Sequence, residues 1–337
     1  MDLLLSPDEE AIVASVSGLL TGSALADPDA SWPDQAWKEL AALGVFGLAV
    51  PEEHGGLGFG VAGEVLLFRE FGRQLVRGPL LGTTLATQLA LDSGVAELAD
   101  VLISGSATCG YAEPLAGSSP ARGDLVSGTF RVWEGHGASL LVLVTPQWSG
   151  LVQADRLNAE GLRATTLPQT DSSVDMAQVV LTDVPLLAQV PGTGIASRAA
   201  LLVAGMQTGI AEATLAESAV YAVTREQFGK PIGTFQAVKH RCADMAVRAE
   251  AARFQTVYAA LAWDDPAMRT QAPGQVAAAA AVAADAGRRN SADNIQNHGA
   301  MGFTLEASPH HYLRRTLVLA SLLGTPRAAL EQIAERA

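Results

Sequence analysis

Thr224-Arg225-Glu226-Gln227-Phe228-Gly229-Lys230-Pro231-Ile232 interrupts two long apolar-periodic segments, Gly209 to Thr224 before it and Phe235 to Trp263 after it. Gly229 and Pro231 end the first pattern, because glycine takes left-handed backbone angles easily and proline is excluded from a helix interior. The stretch is therefore read as a tight turn between two long helices. It carries a guanidinium at Arg225 and an aromatic ring at Phe228. An arginine fork suits bidentate phosphate binding, and a neighbouring ring can pack on a nucleotide. A helix-ending loop with an exposed charge is the plainer reading, and both stand open at this level.

Working outward, the chain is helical from about Ile195 to its end, and Val276 to Asp285 is nearly pure alanine, which suits a helix packed closely on its neighbours. Between about Val101 and Pro191 the texture changes. Val126 to Trp133 alternates in part, while Leu140 to Val144 and Val179 to Leu181 are short apolar runs bounded by turn residues. These predict antiparallel strands. The first hundred residues return to helices. Ser6-Pro7-Asp8-Glu9-Glu10 opens one, a second runs from about Ser31 to Leu43 and stops at Gly44, a third from Val61 to Phe71, and a fourth from roughly Gly82 to Leu98. The expected fold is α+β with three domains: an N-terminal helical domain over 1–100, a small antiparallel β-sheet domain over 101–191, and a C-terminal helical bundle over 192–337.

With 337 residues, 49% of them hydrophobic, and a mean hydropathy of +0.22, the chain can bury a large core and is not compositionally disordered. A net charge of −13 without a dense Lys/Arg run argues against a nucleic-acid surface. A phosphate-rich ligand must therefore meet local donors, such as Arg225, Arg314 or helix N-termini. Cys109 and Cys242 stand far apart, which supports neither a disulfide framework nor a zinc site. The first residues lack a basic leader and no uninterrupted apolar run reaches membrane-spanning length, so the expected location is cytoplasmic. Gly58-Phe59-Gly60-Val61-Ala62-Gly63 has dinucleotide-like spacing, but no βαβ unit surrounds it. No nucleophile-elbow serine motif is found between a strand and a helix.

Five segments, spread in order over nearly the whole chain, resemble the acyl-CoA dehydrogenase family. Leu43-Gly44-Val45-Phe46-Gly47-Leu48-Ala49-Val50-Pro51-Glu52-Glu53-His54-Gly55-Gly56-Leu57-Gly58 resembles its Gly-rich turn. Ala112-Glu113-Pro114-Leu115-Ala116-Gly117-Ser118-Ser119 resembles its strand-loop motif, and Arg225 to Ile232, followed by Phe235-Gln236, its arginine loop. Ile295-Gln296-Asn297-His298-Gly299-Ala300-Met301-Gly302-Phe303-Thr304-Leu305-Glu306 and Leu322-Leu323-Gly324-Thr325 complete the set. The resemblance implies a C-terminal four-helix bundle, FAD as cofactor, an acyl-CoA substrate and electron-transfer flavoprotein as acceptor. It also implies that FAD lies across a subunit interface. Arg225, Phe228, Gln236, Gln296, Gly299, Ala300 and Thr325 would then contact the cofactor, and Ser118 the substrate. His298 reads as a hydrogen-bonded structural histidine rather than an acid or base.

The sequence departs from the family where the chemistry is done. Abstraction of the α-proton needs a desolvated carboxylate within hydrogen-bonding reach. The usual glutamate position falls on Leu323, and the alternative position used by some members falls near Ala199. The threonine expected near the flavin is Ala112, the aspartate of the same motif is Ser119, and the usual ring-contacting tryptophan motif is not recognisable, although Trp133 lies nearby. What remains resembles the shorter subunit of heteromeric, steroid side-chain type acyl-CoA dehydrogenases, which pairs with a homologous catalytic subunit in an α2β2 assembly. Two other readings stand beside it. One is a complete homotetramer using Glu113 or Glu306 as base, and the other is a scaffold subunit that binds no flavin. A flavin oxidase or monooxygenase on the same fold is a remoter expectation.

Overall fold

The computed structural model describes residues 7–20, 34–115, 118, 120–154 and 162–323. Helix α1 spans Pro7–Leu20, beginning at the expected Pro7, and Ser6 lies outside the described residues. Helix α2 is Asp34–Ala42 and gives way to Gly44 at φ +78°, while α3 is Gly60–Arg73. The single helix expected over Gly82 to Leu98 is two, α4 (Leu80–Asp92) and α5 (Ala96–Ile103). Gly94, at φ +78°, turns the chain between them, a break masked by apolar residues that continue through it. Strands follow as β1 (Cys109–Pro114), β2 (Ala121–Arg122), β3 (Leu125–Trp133), β4 (Leu140–Val144), β5 (Trp148–Gln153), β6 (Leu162–Thr166), β7 (Met176–Pro185) and β8 (Ala188–Pro191). Then come α6 (Gly194–Thr224), the short strands β9 (Glu226–Gln227) and β10 (Lys230–Pro231), α7 (Gln236–Asp264), α8 (Ala272–His298) and α9 (Pro309–Leu319).

By packing, these elements form two compact units. One comprises Gly18–Gly60 and Arg77–Ala199 and is built on the sheet, whose order is β6-β7-β3-β1-β4-β5-β8 with β2 paired to β3. The pairings are antiparallel with one correction to expectation: β1 and β4 run parallel. β3 folds back along one edge of β1, and a second reversal brings β4 along its other edge in the original direction. Ala112, Phe130, Val132, Leu141, Leu143, Trp148 and Val152 make the sheet's apolar core. Helix α4 lies directly on β1. A Cβ at Gly82 would stand 2.0 Å from the Cys109 carbonyl oxygen, so only glycine permits this approach. The Cys109 amide donates to Thr83 Oγ1 at 3.0 Å, closing the seam.

The second unit comprises Met1–Ser17, Val61–Val76 and Ala200–Ala337, so α3 packs with the C-terminal helices rather than with its sequence neighbours. The reason lies in small residues. A Cβ at Gly209 of α6 would stand 1.8 Å from the Arg69 carbonyl oxygen, and one at Gly72 would stand 2.0 Å from that of Met206. The two backbones are in direct contact. Buried alanines at 277, 279, 283 and 286 bring α8 close to its neighbours in the same way. Asp264, ending α7, accepts from the Val61 and Ala62 amides at 3.0 and 2.9 Å and caps α3 from across the bundle. Among the described residues α6 alone has the length and hydropathy of a membrane span, yet 78% of that window is buried within the protein.

Candidate functional site

The Arg225 loop is a hairpin. Gln227 pairs with Lys230 and Glu226 with Pro231, leaving Phe228 and Gly229 as the two turn residues at φ +54° and +74°. Both lie in the left-handed region, as a type I′ turn requires, and Asn or Gly normally fills the first position. A phenylalanine held there costs on the order of 1 kcal/mol or more. The residue is 91% exposed. Phe235 lies edge-on to it with centroids 6.1 Å apart, and Lys230 Nζ stands 4.7 Å from the Phe235 centroid. Arg225 closes the hairpin's base through its backbone, donating to Tyr221 O at 2.9 Å and accepting from the Ile232 amide at 2.8 Å, while its side chain is exposed. Gln236, the first residue of α7, is exposed as well.

Gln296, Gly299 and Ala300 lie at the other half of the same rim. Gln296 sits on the last turn of α8 and is exposed. Gly299 then takes φ +61° and ψ −137°, a combination essentially confined to glycine, and a Cβ there would meet nothing within 4 Å. Backbone conformation, not crowding, demands the glycine. Ala300 follows on an exposed 3₁₀ turn, Gly299–Phe303.

The ends of α6, α7 and α8 are tied by buried and part-buried polar contacts. Ser218 Oγ donates to Asn294 Oδ1 at 2.7 Å, Asn294 Nδ2 donates to Glu217, and Arg241 donates to Asn297 Oδ1 at 3.0 Å. Tyr221 stacks on His298 with ring centroids 4.0 Å apart. Arg225, Phe228, Gln236, Gln296, Gly299 and Ala300 thus belong to one scaffold. Val220, Val223, Met301, Phe303 and Leu305, along the same helix ends, are exposed although apolar. Helical periodicity gave no sign of that exposure. Tyr221 was missed too, and its signal was an aromatic one turn before Arg225.

The remaining candidates are placed differently. Glu113 is buried on β1. Its Oε1 pairs with Arg131 and its Oε2 accepts from Tyr111 Oη at 3.0 Å, so both carboxylate oxygens are engaged. Burial first, and then the charge of Glu113, push the Tyr111 phenol well above its ordinary range. Ala112 is fully buried in the sheet core, and Trp133 is buried at the end of β3, paired with Tyr111 and Met176. Ser118 Oγ accepts from the Thr129 amide at 3.3 Å. Glu306 is exposed, and Arg314 is half-buried on α9. Ala199 is fully buried, and Leu323 is half-buried at φ +61°. Ser119 and Thr325 lie outside the described residues.

Comparison with known proteins places these features. Residues 7–104 match the acyl-CoA dehydrogenase N-terminal domain, and residues 195–337 match the acyl-CoA dehydrogenase C-terminal domain. The chain is 36% identical over 321 residues to acyl-CoA dehydrogenase FadE34 of Mycobacterium tuberculosis; the match takes in 92% of this chain and 44% of that longer protein. It is 34% identical over 324 residues to acyl-CoA dehydrogenase IpdE2 of the same organism, covering 96% of this chain and 92% of the relative. A chain of the M. tuberculosis ChsE4–ChsE5 complex superposes with a TM-score of 0.86 at 25% identity, over 100% of this chain and 98% of that one. A helical N-terminal region, a central sheet and a C-terminal bundle with these matches define a flavoprotein-type oxidoreductase fold. The chain belongs to the acyl-CoA dehydrogenase family.

Proposed function

We propose that this chain is the base-lacking subunit of a heteromeric, FAD-dependent acyl-CoA dehydrogenase, and that it completes the cofactor site of a homologous catalytic partner. The observation that carries the reading is Phe228, a ring held in solvent on a turn conformation that phenylalanine disfavours. Such strain persists where a ligand or partner makes use of it. The same helix ends carry a guanidinium at Arg225, amides at Gln236 and Gln296, and the turn residues Gly299 and Ala300, with open space at Gly299. This donor set fits a diphosphate and its nucleoside, and not a proton-transfer site. We assign Thr325 to the same grip and Ser118 to the acyl-CoA, both from the family resemblance.

FAD, when bound, accepts the β-hydrogen as hydride in α,β-desaturation of a thioester. Among the described residues, none of the candidate base positions is suited to remove the α-proton. Leu323 and Ala199 have no acid–base group, Glu113 has both oxygens committed, and Glu306 is exposed to water. The base and the ring pocket therefore come from the partner. Similarity to one chain of a two-protein complex, ChsE4–ChsE5, supports that assembly. A cytoplasmic location and electron-transfer flavoprotein as acceptor follow from the same reading.

The test is to purify the chain alone and together with a longer homologue carrying the missing glutamate. Flavin absorbance and acyl-CoA desaturation are then measured for each. We expect little flavin and no turnover alone, and both in the complex. A yellow, active preparation of the single chain overturns the proposal. A complex whose FAD affinity is untouched by Arg225→Ala supports a purely structural subunit instead.

A further inference from the structure

The stack between Tyr221 and His298 is not among the groups the grip itself uses, yet it lies between its two halves. Tyr221 sits one turn before Arg225, and its carbonyl oxygen receives the Arg225 amide at 2.9 Å. His298 is the last residue of α8, immediately before Gly299 and in the same turn as Gln296. The rings face each other at 4.0 Å with 26° between their planes, and both are half-buried. His298 Nδ1 lies 2.9 Å from the Asn294 carbonyl oxygen. A carbonyl can only accept, so Nδ1 is the protonated nitrogen and the ring is fixed in orientation. Asn294 is itself held by Ser218 and Glu217 of α6.

We propose that the Tyr221–His298 stack is a positioning bracket, setting the spacing between the Arg225 hairpin and the Gln296–Ala300 turn so that both engage one nucleotide. The inference rests on the cofactor-grip reading above. The helices are also joined by Ser218–Asn294, by Arg241–Asn297 and, deeper in the bundle, by Asn290, whose amide donates to Ala211 O and Met245 O at 3.0 Å each. Those contacts hold the helices together. The stack adds the outermost tie between α6 and α8, where a small change in angle is passed to the residues proposed to touch the ligand. His298 and Tyr221 are positioning residues, because neither needs to contact the cofactor.

The experiment uses the assembled complex with its partner, stripped of cofactor and titrated with FAD by flavin fluorescence, with the thermal midpoint recorded alongside. An aromatic stack contributes about 0.5–1.5 kcal/mol, so His298→Ala and Tyr221→Ala are each expected to weaken FAD binding roughly three- to tenfold. His298→Phe and Tyr221→Phe keep the rings and should restore affinity to within about twofold. Arg225→Ala separates the two layers of the argument. If it leaves FAD affinity unchanged, the grip reading fails. If it weakens binding and His298→Ala does not, the bracket fails and the grip stands. In the Arg225→Ala background the effect of His298→Ala should shrink by about threefold, since the bracket is proposed to act through the placement of Arg225 and residues in one network are coupled. Strict additivity, or failure of the phenylalanine variants to rescue, overturns the bracket in favour of general stabilisation.

Discussion

The rim at the ends of α6 and α8 and the first strand of the sheet both carry charged or amide side chains, and these are handled in opposite ways. On β1, Glu113 is matched oxygen by oxygen to Arg131 and Tyr111, and all three lie within the fold. On the rim, Arg225, Gln236 and Gln296 are exposed, and Phe228 holds its ring in solvent. Groups satisfied internally contribute to the fold. Groups left open at a conformational cost are kept for something outside the chain. On the proposed reading, the chain is closed at the one buried candidate base and open where the partner's nucleotide is held.

Variants should separate the two regions. The largest effect is expected on β1: Glu113→Ala strips a mostly buried ion pair and should destabilise the chain by about 3 kcal/mol, as read from its denaturant midpoint. FAD affinity of the assembled complex should stay within about twofold, and a larger loss would mean that β1 serves the cofactor. Arg225→Ala should do the reverse. Loss of a charge-assisted contact of about 1.5–3 kcal/mol weakens FAD binding roughly ten- to hundredfold, with stability within about 0.5 kcal/mol of the parent. Phe228→Asn sharpens the contrast, because asparagine suits the turn. Stability should rise by about 0.5 kcal/mol while FAD binding falls several-fold. A variant that improves or leaves both unchanged would remove the argument from strain.

The smallest effect concerns a residue in neither region. Burial, and then the charges of His311 and Arg314, hold the buried His310 on α9 below its ordinary value of 6.5. In the window just below 6.5 the unfolded chain binds more protons than the folded one. Stability is therefore fully present above that value and declines as pH falls through it. His310→Leu should flatten a plot of thermal midpoint against pH between about 5 and 7.

Much of this was legible in the sequence because it depends on local patterns. The helix–sheet–helix order follows from apolar periodicity, and the break after Thr224 from Gly229 and Pro231. Features set by distant contacts were not legible. Apolar residues run through Gly94, so one helix was read where there are two. The parallel pairing of β1 with β4 depends on where β3 returns, which no strand encodes by itself. That α3 packs on α6 depends on glycines in one helix meeting backbone in the other, at Gly72 and Gly209. In the candidate site the residue types were readable from Arg225, Phe228 and Gln296. The type I′ strain, the solvent exposure of Phe228 and the Tyr221–His298 stack were not, since each is a fact of geometry.

The most direct test of the central claim is flavin stoichiometry. FAD should be counted, by absorbance after denaturation, in the purified single chain and in its complex with a glutamate-bearing homologue. The account predicts essentially no FAD in the single chain and less than one FAD per polypeptide in the complex. One tightly held FAD per copy of the isolated chain, reduced on addition of an acyl-CoA, would contradict it.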